Sequence, residues 1–345
     1  MIRFECDYTE GAHPRIMEAL LATNMEQTQG YGMDEHCAHA RELIRKKCGK
    51  EDADVHFLVG GTQTNVTVIA SILKSYQGVI CADSGHINVH ETGAVEASGH
   101  KVLALPATDG KITASQIEEV YQTHIQDGSH EHMVQPGLVY ISNPTEIGTL
   151  YTKQELTDIS KVCHYIDIPL FLDGARLGYG LAAQGNDVTL EDIAELCDVF
   201  YIGGTKVGAL FGEAVVITKE SLKKDFRYHI KQRGGMLAKG RLLGIQFEEL
   251  FKDDLYMEIS AHADRLAMKI KQAFTEQGIP FAVDSDTNQQ FPILNQEQAK
   301  KLALKYTFDK NDSELSKGPA KVRFCTSWAT MEENVDELIA DIRNL

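Results

Sequence analysis

The 345-residue sequence has little of what marks membrane, secreted and nucleic-acid-binding proteins. It has no apolar run of the roughly 18 residues that a membrane span needs, and its first residues lack the apolar stretch of a signal peptide. The seven cysteines are scattered without a Cys-x-x-Cys pair, which argues against a disulfide framework or a zinc ribbon. With 34 basic and 50 acidic residues the net charge is −16, which disfavours nucleic acid as a partner. We therefore expect a cytoplasmic protein that binds neither membranes nor nucleic acid.

The sequence does contain a regular alternation of strand-like and helix-like runs between residues 55 and 218. Short apolar runs rich in Val, Ile and Leu are typical of strands buried in a parallel sheet. Stretches with helical periodicity fill most of the gaps. The alternation predicts an α/β fold built on a doubly wound, mostly parallel sheet. The predicted strands are Val55–Val59, Val79–Ala82, Val102–Leu105, Leu138–Ile141, Leu170–Leu172, Val199–Ile202 and Ala214–Ile217.

The C-terminal part of the chain has a different pattern, which predicts a second, smaller unit. A long helical stretch follows Gly240 and runs to about Gln277. Weaker strands are predicted at 280–283, 290–294 and 322–326, a polar surface loop at 309–319 and a last helix at 331–343. We expect an N-terminal arm (1–13), a large cofactor-binding domain (14–245) and a small α+β domain (246–345).

The most informative feature is a pair of apolar runs that each end in a charged residue. One run ends in the carboxylate of Asp173 and the other in the amine of Lys206. Their separation fits a strand, a crossover helix and a next strand, so both charges should lie at the carboxyl edge of the sheet. Pyridoxal phosphate (PLP) needs an amine for its Schiff base and a carboxylate beside its pyridine nitrogen. Alone, each residue would indicate a helix cap or a solvated rim charge, whereas the pair predicts a PLP site.

The segment Gly60–Asn65 follows a predicted strand and opens a helix. Glycines such as Gly61 let the backbone approach a phosphate, the first helical N–H groups can donate to it, and Thr62 adds a hydroxyl. The segment lacks the Gly-x-Gly-x-x-Gly fingerprint, so no nicotinamide cofactor is expected. A tight turn capped by Thr62 is the alternative interpretation.

Three more polar residues, His86, His90 and Glu91, follow the next predicted strand. An imidazole here could stack on the pyridine ring and shuttle protons. Their spacing also permits a metal site, but a third ligand is not evident, so no metal is expected. Among the candidate bases, which include Glu146, the sequence favours His86.

Two arginines are candidates for binding a carboxylate. Arg176 follows Asp173 by three residues and could pair with a phenolate or a carboxylate. Arg323 stands inside the apolar run Val322–Thr326, where a bare charge is costly. It should therefore meet an anion, which is either the carboxylate of an amino-acid substrate or an internal salt-bridge partner.

In combination these motifs resemble those of the threonine aldolase / β-eliminating lyase family of fold-type I PLP enzymes, over nearly the whole chain. The shared motifs are Tyr31-Gly32-Met33-Asp34, Gly61-Thr62-Gln63-Thr64-Asn65, His86, Asp173-Gly174-Ala175-Arg176, Thr205-Lys206, Gly234-Gly235-Met236 and Arg323. The resemblance implies a PLP Schiff base at Lys206, a pyridine partner at Asp173 and a stacking ring at His86. It implies phosphate contacts from Gly61 and Thr62, and contacts from Arg176 and Arg323 to the ring-oxygen side and the substrate carboxylate. It also implies a homodimer or homotetramer with shared active sites, to which Tyr31 and the segment 233–241 would contribute.

The sequence departs from the family pattern at two places. The family's Ser-Asp-Thr is here Cys6-Asp7-Tyr8, so a serine contact to the substrate carboxylate is lost or replaced. The family's Asn-Thr-His-Asn is here Asn143-Pro144-Thr145-Glu146, which removes the histidine expected to address the substrate's β-hydroxyl.

These observations predict a PLP-dependent lyase that cleaves a β-hydroxy-α-amino acid to glycine and an aldehyde by a retro-aldol reaction. Substrates of the threonine, allo-threonine or phenylserine type are expected, and Tyr31, His90 and Glu91 are further candidates for contacting them. The first alternative is a β-eliminating lyase or aminotransferase acting on a small amino acid, since fold does not fix reaction. The second is a non-catalytic PLP-binding protein.

Overall fold

The computed structural model describes all 345 residues, from Met1 to Leu345. The strands are β1 (Ile2–Arg3), β2 (Asp54–Leu58), β3 (Gln77–Ala82), β4 (Lys101–Leu105), β5 (Gln135–Ser142), β6 (Leu170–Asp173), β7 (Val199–Gly203), β8 (Glu213–Ile217), β9 (Gln289–Gln290), β10 (Ile293–Leu294), β11 (Tyr306–Thr307), β12 (Asp309–Lys310) and β13 (Ala320–Cys325). The helices are α1 (Pro14–Ala22), α2 (Glu35–Cys48), α3 (Gly61–Ile72), α4 (His86–Val89), α5 (Ala94–Ala97), α6 (Ala114–Gln126), α7 (Lys153–Tyr165), α8 (Leu177–Ala182), α9 (Leu190–Leu196), α10 (Glu220–Lys223), α11 (Phe226–Gln232), α12 (Arg241–Phe251), α13 (Leu255–Glu276), α14 (Gln296–Leu302), α15 (Asp312–Leu315) and α16 (Glu332–Ile342).

A seven-stranded sheet in the order β2-β8-β7-β6-β5-β3-β4 forms the centre of the molecule. All seven strands predicted between residues 55 and 218 belong to it. The strand pairs from β7 through β6, β5 and β3 to β4 are parallel. Only β8 runs antiparallel to its two neighbours, β2 and β7. The prediction of an α/β fold with a mostly parallel sheet is therefore confirmed.

The central strands of the sheet are buried on both faces, which explains their uninterrupted apolar runs. Successive side chains of a strand point to opposite faces. In β6, Leu170 and Leu172 join one hydrophobic core, whereas Phe171 joins the core on the other side. In β8, Ala214 and Val216 belong to the first core, and Val215 to the second. Helices that cover both faces leave no solvent-facing side on which polar residues could alternate.

A third hydrophobic core belongs to the C-terminal unit. It joins the second half of α13, from Leu266 onward, to β13 and α16. The N-terminal arm contributes to this core through Phe4, and β1 pairs in parallel with β11. By contrast, α12 packs against the large unit, where Leu243 and Phe247 enter its first core. The predicted boundary at residue 245 stays a prediction, and the change from one core to the other falls within α13.

The C-terminal unit differs in detail from the sequence-based expectations. The predicted strand at 280–283 is reduced to a single bridge between Phe281 and Pro292. The expected loop at 309–319 contains β12 and α15. The long helical stretch is interrupted at residues 252–254, where Asp253 and Asp254 have φ angles of 57° and 59°. None of the helices is long and apolar enough to cross a membrane.

Candidate active site

The carboxyl ends of the parallel strands bring the predicted residues to one edge of the sheet. Asp173 is the last residue of β6, and the register of β5 and β6 places Ser142 directly beside it. His86 follows β3, and Lys206 follows β7. One small cavity, here the inner cavity, collects these side chains. It is lined by Gly61, His86, Ser142, Pro144, Thr145, Glu146, Asp173, Ala175, Arg176, Tyr201 and Lys206.

Lys206 is half-buried, and its amine makes no salt bridge although charged groups lie nearby. Burial and the neighbouring Arg176 lower the pKa of Lys206, against the opposing effect of Asp7, Asp173 and Glu213. A lowered pKa increases the fraction of neutral amine, which is the nucleophilic form. Lys206 is thus suited to forming a covalent bond with a carbonyl group.

Asp173 is buried, with 4% of its surface exposed, and both of its oxygens accept hydrogen bonds. Tyr201 Oη and the backbone N–H of Ala175 donate to Oδ1 over 2.6 and 2.9 Å. Tyr140 Oη and Asn65 Nδ2 donate to Oδ2 over 2.5 and 3.0 Å. Four donors therefore hold the carboxyl group of Asp173 in one orientation at the end of β6.

Asn65 connects Asp173 to a second buried carboxylate. Its Nδ2 also donates to Glu91 Oε1 over 2.8 Å, and the same oxygen lies 2.8 Å from Nδ1 of His86. The side chain of Glu91 has no exposed surface. Glu91 therefore fixes the orientation of the His86 ring, and Nε2 is left as the ring nitrogen without a partner in this network.

Arg176 is held by Asp7 of the N-terminal arm. Nε and Nη2 of Arg176 donate to the two oxygens of Asp7 over 2.7 and 3.1 Å. Asn288 Nδ2 donates to Asp7 Oδ2 over 2.9 Å. Burial would raise the pKa of Asp7, but Arg176 and Lys206 lower it. The arm, the large unit and the C-terminal unit thus meet at one buried ion pair.

A second, outer cavity of about 590 Å³ lies between the large unit and the C-terminal unit. His90 and Arg323 line it, together with residues of β12, α15 and β13. Arg323 donates to the carbonyl oxygen of Glu5 over 3.0 Å and forms a salt bridge with Asp309 at 3.2 Å. Its Nε is buried without a partner. Glu146 lines both cavities and is the one residue that they share.

The family model described as beta-eliminating lyase matches residues 4–320. The chain belongs to the beta-eliminating lyase family. This match, together with the relatives and solved structures that share the fold, confirms the predictions of the family, of fold type I and of a PLP-dependent lyase.

This beta-eliminating lyase is similar to two threonine aldolases over nearly the full length of each chain. A low specificity L-threonine aldolase from Pseudomonas sp. strain NCIMB 10558 is 31% identical over 348 residues, which is 99% of this chain and 97% of that protein. A solved Leishmania major threonine aldolase is 46% identical with a TM-score of 0.96, covering 100% of this chain and 99% of that one. Thermus thermophilus aspartate aminotransferase, at 14% identity and a TM-score of 0.73 over 100% of this chain and 91% of that one, shares the fold.

Not every predicted site residue of this lyase lies at the cavity walls. Glu91 lies behind His86 and lines neither cavity. Tyr31 also lines neither, and 47% of its surface is exposed. Thr62 is exposed at the first turn of α3, whereas the adjacent Gly61 lines the inner cavity.

Several polar residues of the lyase site are not among the predicted ones. They are Asp7, Asn65, Tyr140, Ser142, Tyr201 and Glu213. Glu213 accepts hydrogen bonds from the backbone N–H of Gly204 and the hydroxyl of Thr205, over 3.0 and 2.8 Å, and so fixes the turn before Lys206. Burial raises the pKa of Glu213 to about 7. In the sequence, Glu213 can be found as the single charged residue at the start of the apolar run of β8.

Proposed function

We propose that the protein is a PLP-dependent aldolase that cleaves β-hydroxy-α-amino acids such as threonine to glycine and an aldehyde. The main support is that the amine of Lys206, which forms no salt bridge, lines the same cavity as the buried carboxylate of Asp173. The relatives that match nearly the whole chain are named threonine aldolases.

The residues of the inner cavity fit PLP, and each has a distinct task in this proposal. Lys206 would hold the cofactor's aldehyde carbon through its amine, and Asp173 would keep the pyridine nitrogen protonated. His86 would lie against the ring, and Gly61 together with the first N–H groups of α3 would bind the phosphate. When bound, PLP supplies an electron sink for the pair of electrons released by cleavage of the Cα–Cβ bond.

The two arginines would hold the substrate's carboxylate. Arg323 has a buried Nε without a partner, while its other nitrogens are oriented by neighbouring groups. Arg176 is oriented by Asp7 and lines the inner cavity beside Lys206. Contacts from these two guanidinium groups to the carboxylate would fix the Cα–Cβ bond in one direction relative to the cofactor.

The active unit in this proposal is a homodimer or homotetramer in a reducing compartment such as the cytoplasm. Leu21 and Met25 expose 79% and 88% of their surfaces, and the neighbouring Tyr31 and Met33 expose 47% and 53%. Contiguous exposed apolar surface is typical of an interaction site, and the partner in this proposal is a second copy of the chain. The seven unpaired cysteines support the compartment.

The test is a product analysis of the PLP-loaded enzyme. Threonine, allo-threonine and phenylserine should each yield equal amounts of glycine and the matching aldehyde, whereas serine should yield little pyruvate. Pyruvate and ammonia from serine, without aldehyde from threonine, would instead indicate β-elimination. Transfer of the amino group to an oxoacid would indicate an aminotransferase. Cofactor absorbance without any turnover would indicate a binding protein.

A further inference from the structure

We propose that Glu146 is the catalytic base that takes the proton of the substrate's β-hydroxyl group, an inference that rests on the aldol cleavage proposed above. Glu146 lies in the turn Asn143-Pro144-Thr145-Glu146. The turn follows β5, whose last residue, Ser142, pairs in register with Asp173. Glu146 therefore enters the site from the strand next to the one that carries Asp173.

The position of Glu146 matches that of the bond to be broken. The inner cavity contains Lys206 and Asp173, so the substrate's amine and Cα belong there. The outer cavity, at about 590 Å³, is large enough for the substituent on Cβ, including an aromatic ring. Cβ and its hydroxyl must then lie where the two cavities meet. Glu146 is the residue that lines both.

The carboxylate of Glu146 is oriented by hydrogen bonds to one of its two oxygens. The backbone N–H of His86 and the hydroxyl of Ser142 donate to Oε1 over 2.9 and 2.7 Å. Oε2 accepts no hydrogen bond from the protein, so it can accept one from a substrate. The turn itself is fixed, because the hydroxyls of Thr145 and Thr149 lie 2.6 Å apart.

Burial raises the pKa of Glu146; Ser142 acts in the opposite direction, and Asp173 adds to the rise. A carboxylate whose pKa is raised toward neutrality is a stronger base, and catalysis by a base is most efficient in that range. In the step we propose, Oε2 takes the hydroxyl proton as the Cβ–O bond becomes a carbonyl and the Cα–Cβ bond breaks. The electron pair of that bond stays with the glycine carbon, which then takes up a proton, so no external oxidant or reductant is required.

The other candidate bases are placed less favourably. Nδ1 of His86 is engaged by Glu91 and Nε2 stays free, but the ring is assigned to the face of the cofactor in the function proposed above. His90 is exposed and lines only the outer cavity. Glu91 lines neither cavity. In this proposal the catalytic base is therefore Glu146, whereas the sequence alone favours His86.

The experiment compares the PLP-loaded wild type with Glu146→Gln, which keeps the shape of the side chain but cannot take a proton. We expect kcat for threonine cleavage to fall by about 10²–10⁴-fold, the usual contribution of a general base. The dissociation constant for glycine, which has no β-hydroxyl, should stay unchanged when measured from the cofactor spectrum. Glu131→Gln, a change at a surface carboxylate outside both cavities, is the matched control and should behave as wild type.

The outcomes separate this proposal from the proposed function. A wild type that releases aldehyde while Glu146→Gln keeps a similar kcat would overturn the role of Glu146 alone. A wild type that releases no aldehyde from any β-hydroxy-α-amino acid would overturn both. Loss of glycine binding in Glu146→Gln would also overturn the proposed role of Glu146 as a base, because the residue would then maintain the site and not act on the hydroxyl. Partial recovery in Glu146→Asp, with glycine binding intact, would support it.

Discussion

Asp7 and Arg176 form a buried two-point ion pair, with Nε 2.7 Å from Oδ2 and Nη2 3.1 Å from Oδ1. Their side chains are 0% and 14% exposed. The pair joins the N-terminal arm to the loop after β6, and Asn288 adds the C-terminal unit to the same carboxylate. Because Arg176 also lines the inner cavity, the ion pair couples the packing of the three parts of the chain to the geometry of the site.

We predict that Asp7→Asn destabilises the protein and raises KM for threonine. Breaking a buried pair by removing one charge costs about 3–5 kcal/mol, since the other charge is left uncompensated. The loss should be read from the midpoint of urea unfolding. Glu276→Gln, which breaks the exposed pair with Arg343, is the control and should shift the midpoint little. An Asp7→Asn protein with wild-type stability and KM would show that Arg176 keeps its position without Asp7.

The same pair predicts a pH dependence of stability. The pKa of Asp7 is lowered in the folded protein, so its contribution is present above the ordinary pKa of an aspartate. That contribution is lost as the pH falls through the folded-state pKa. The difference in unfolding free energy between wild type and Asp7→Asn should therefore shrink at acidic pH. A difference that stays constant down to pH 2 would contradict the assignment.

Asn65→Ala should weaken PLP binding without unfolding the protein. The substitution leaves Glu91 Oε1 and Asp173 Oδ2 each with one donor fewer, and a buried unsatisfied group costs about 1–3 kcal/mol. We expect lower stability and a higher dissociation constant for PLP, measured by cofactor titration. Thr67→Val, on the same helix, removes a buried hydroxyl that bonds only to its own helix, and it should leave PLP affinity unchanged. Equal PLP affinity in Asn65→Ala and wild type would show that Asn65 has no part in the site.

Borohydride reduction of the PLP-loaded enzyme should attach the pyridoxyl group to Lys206, as peptide mapping can establish. Lys206→Met should also stabilise the cofactor-free protein at neutral pH. Because the folded-state pKa of Lys206 is lowered, its charged form is disfavoured on folding, and this cost disappears only as the pH rises toward the ordinary pKa. The stability advantage of Lys206→Met should therefore diminish in alkaline solution. A label on another lysine would refute the cofactor assignment.

The sequence identifies the parts of the site that follow from the sheet alone. Asp173 and Lys206 are visible because each charge ends an apolar run, and the strands β3 and β5 to β8 are visible because they are apolar on both faces. The small strands of the C-terminal unit are two residues long in β9 and β10, too short to leave a periodic pattern. Their positions are set by pairing with β13.

The remaining site contacts depend on the direction of individual side chains. Glu91 turns inward to His86 and Asn65, whereas His90 next to it is exposed, and no local pattern distinguishes the two. Asp7 and Asn288 meet although they are 281 residues apart in the sequence. Contacts of this kind arise from the packing of the units against one another, which sequence spacing does not encode.

Tyr31 is the residue with which a shared active site can be tested. Tyr31 has a φ angle of 61°, its ring lies 4.9 Å from Lys231 Nζ, and it lines neither cavity of its own chain. If Tyr31 completes the site of a neighbouring copy, a Tyr31→Ala subunit carries an intact Lys206 but needs its partner's tyrosine. Mixing it with a Lys206→Ala subunit should then restore about a quarter of wild-type activity, since random assembly of a twofold dimer makes half the dimers hybrid with one complete site each. A mixture as inactive as its two components, with hybrids verified by mass, would place Tyr31 outside the site, and a fully active monomer in sedimentation would refute the shared site altogether.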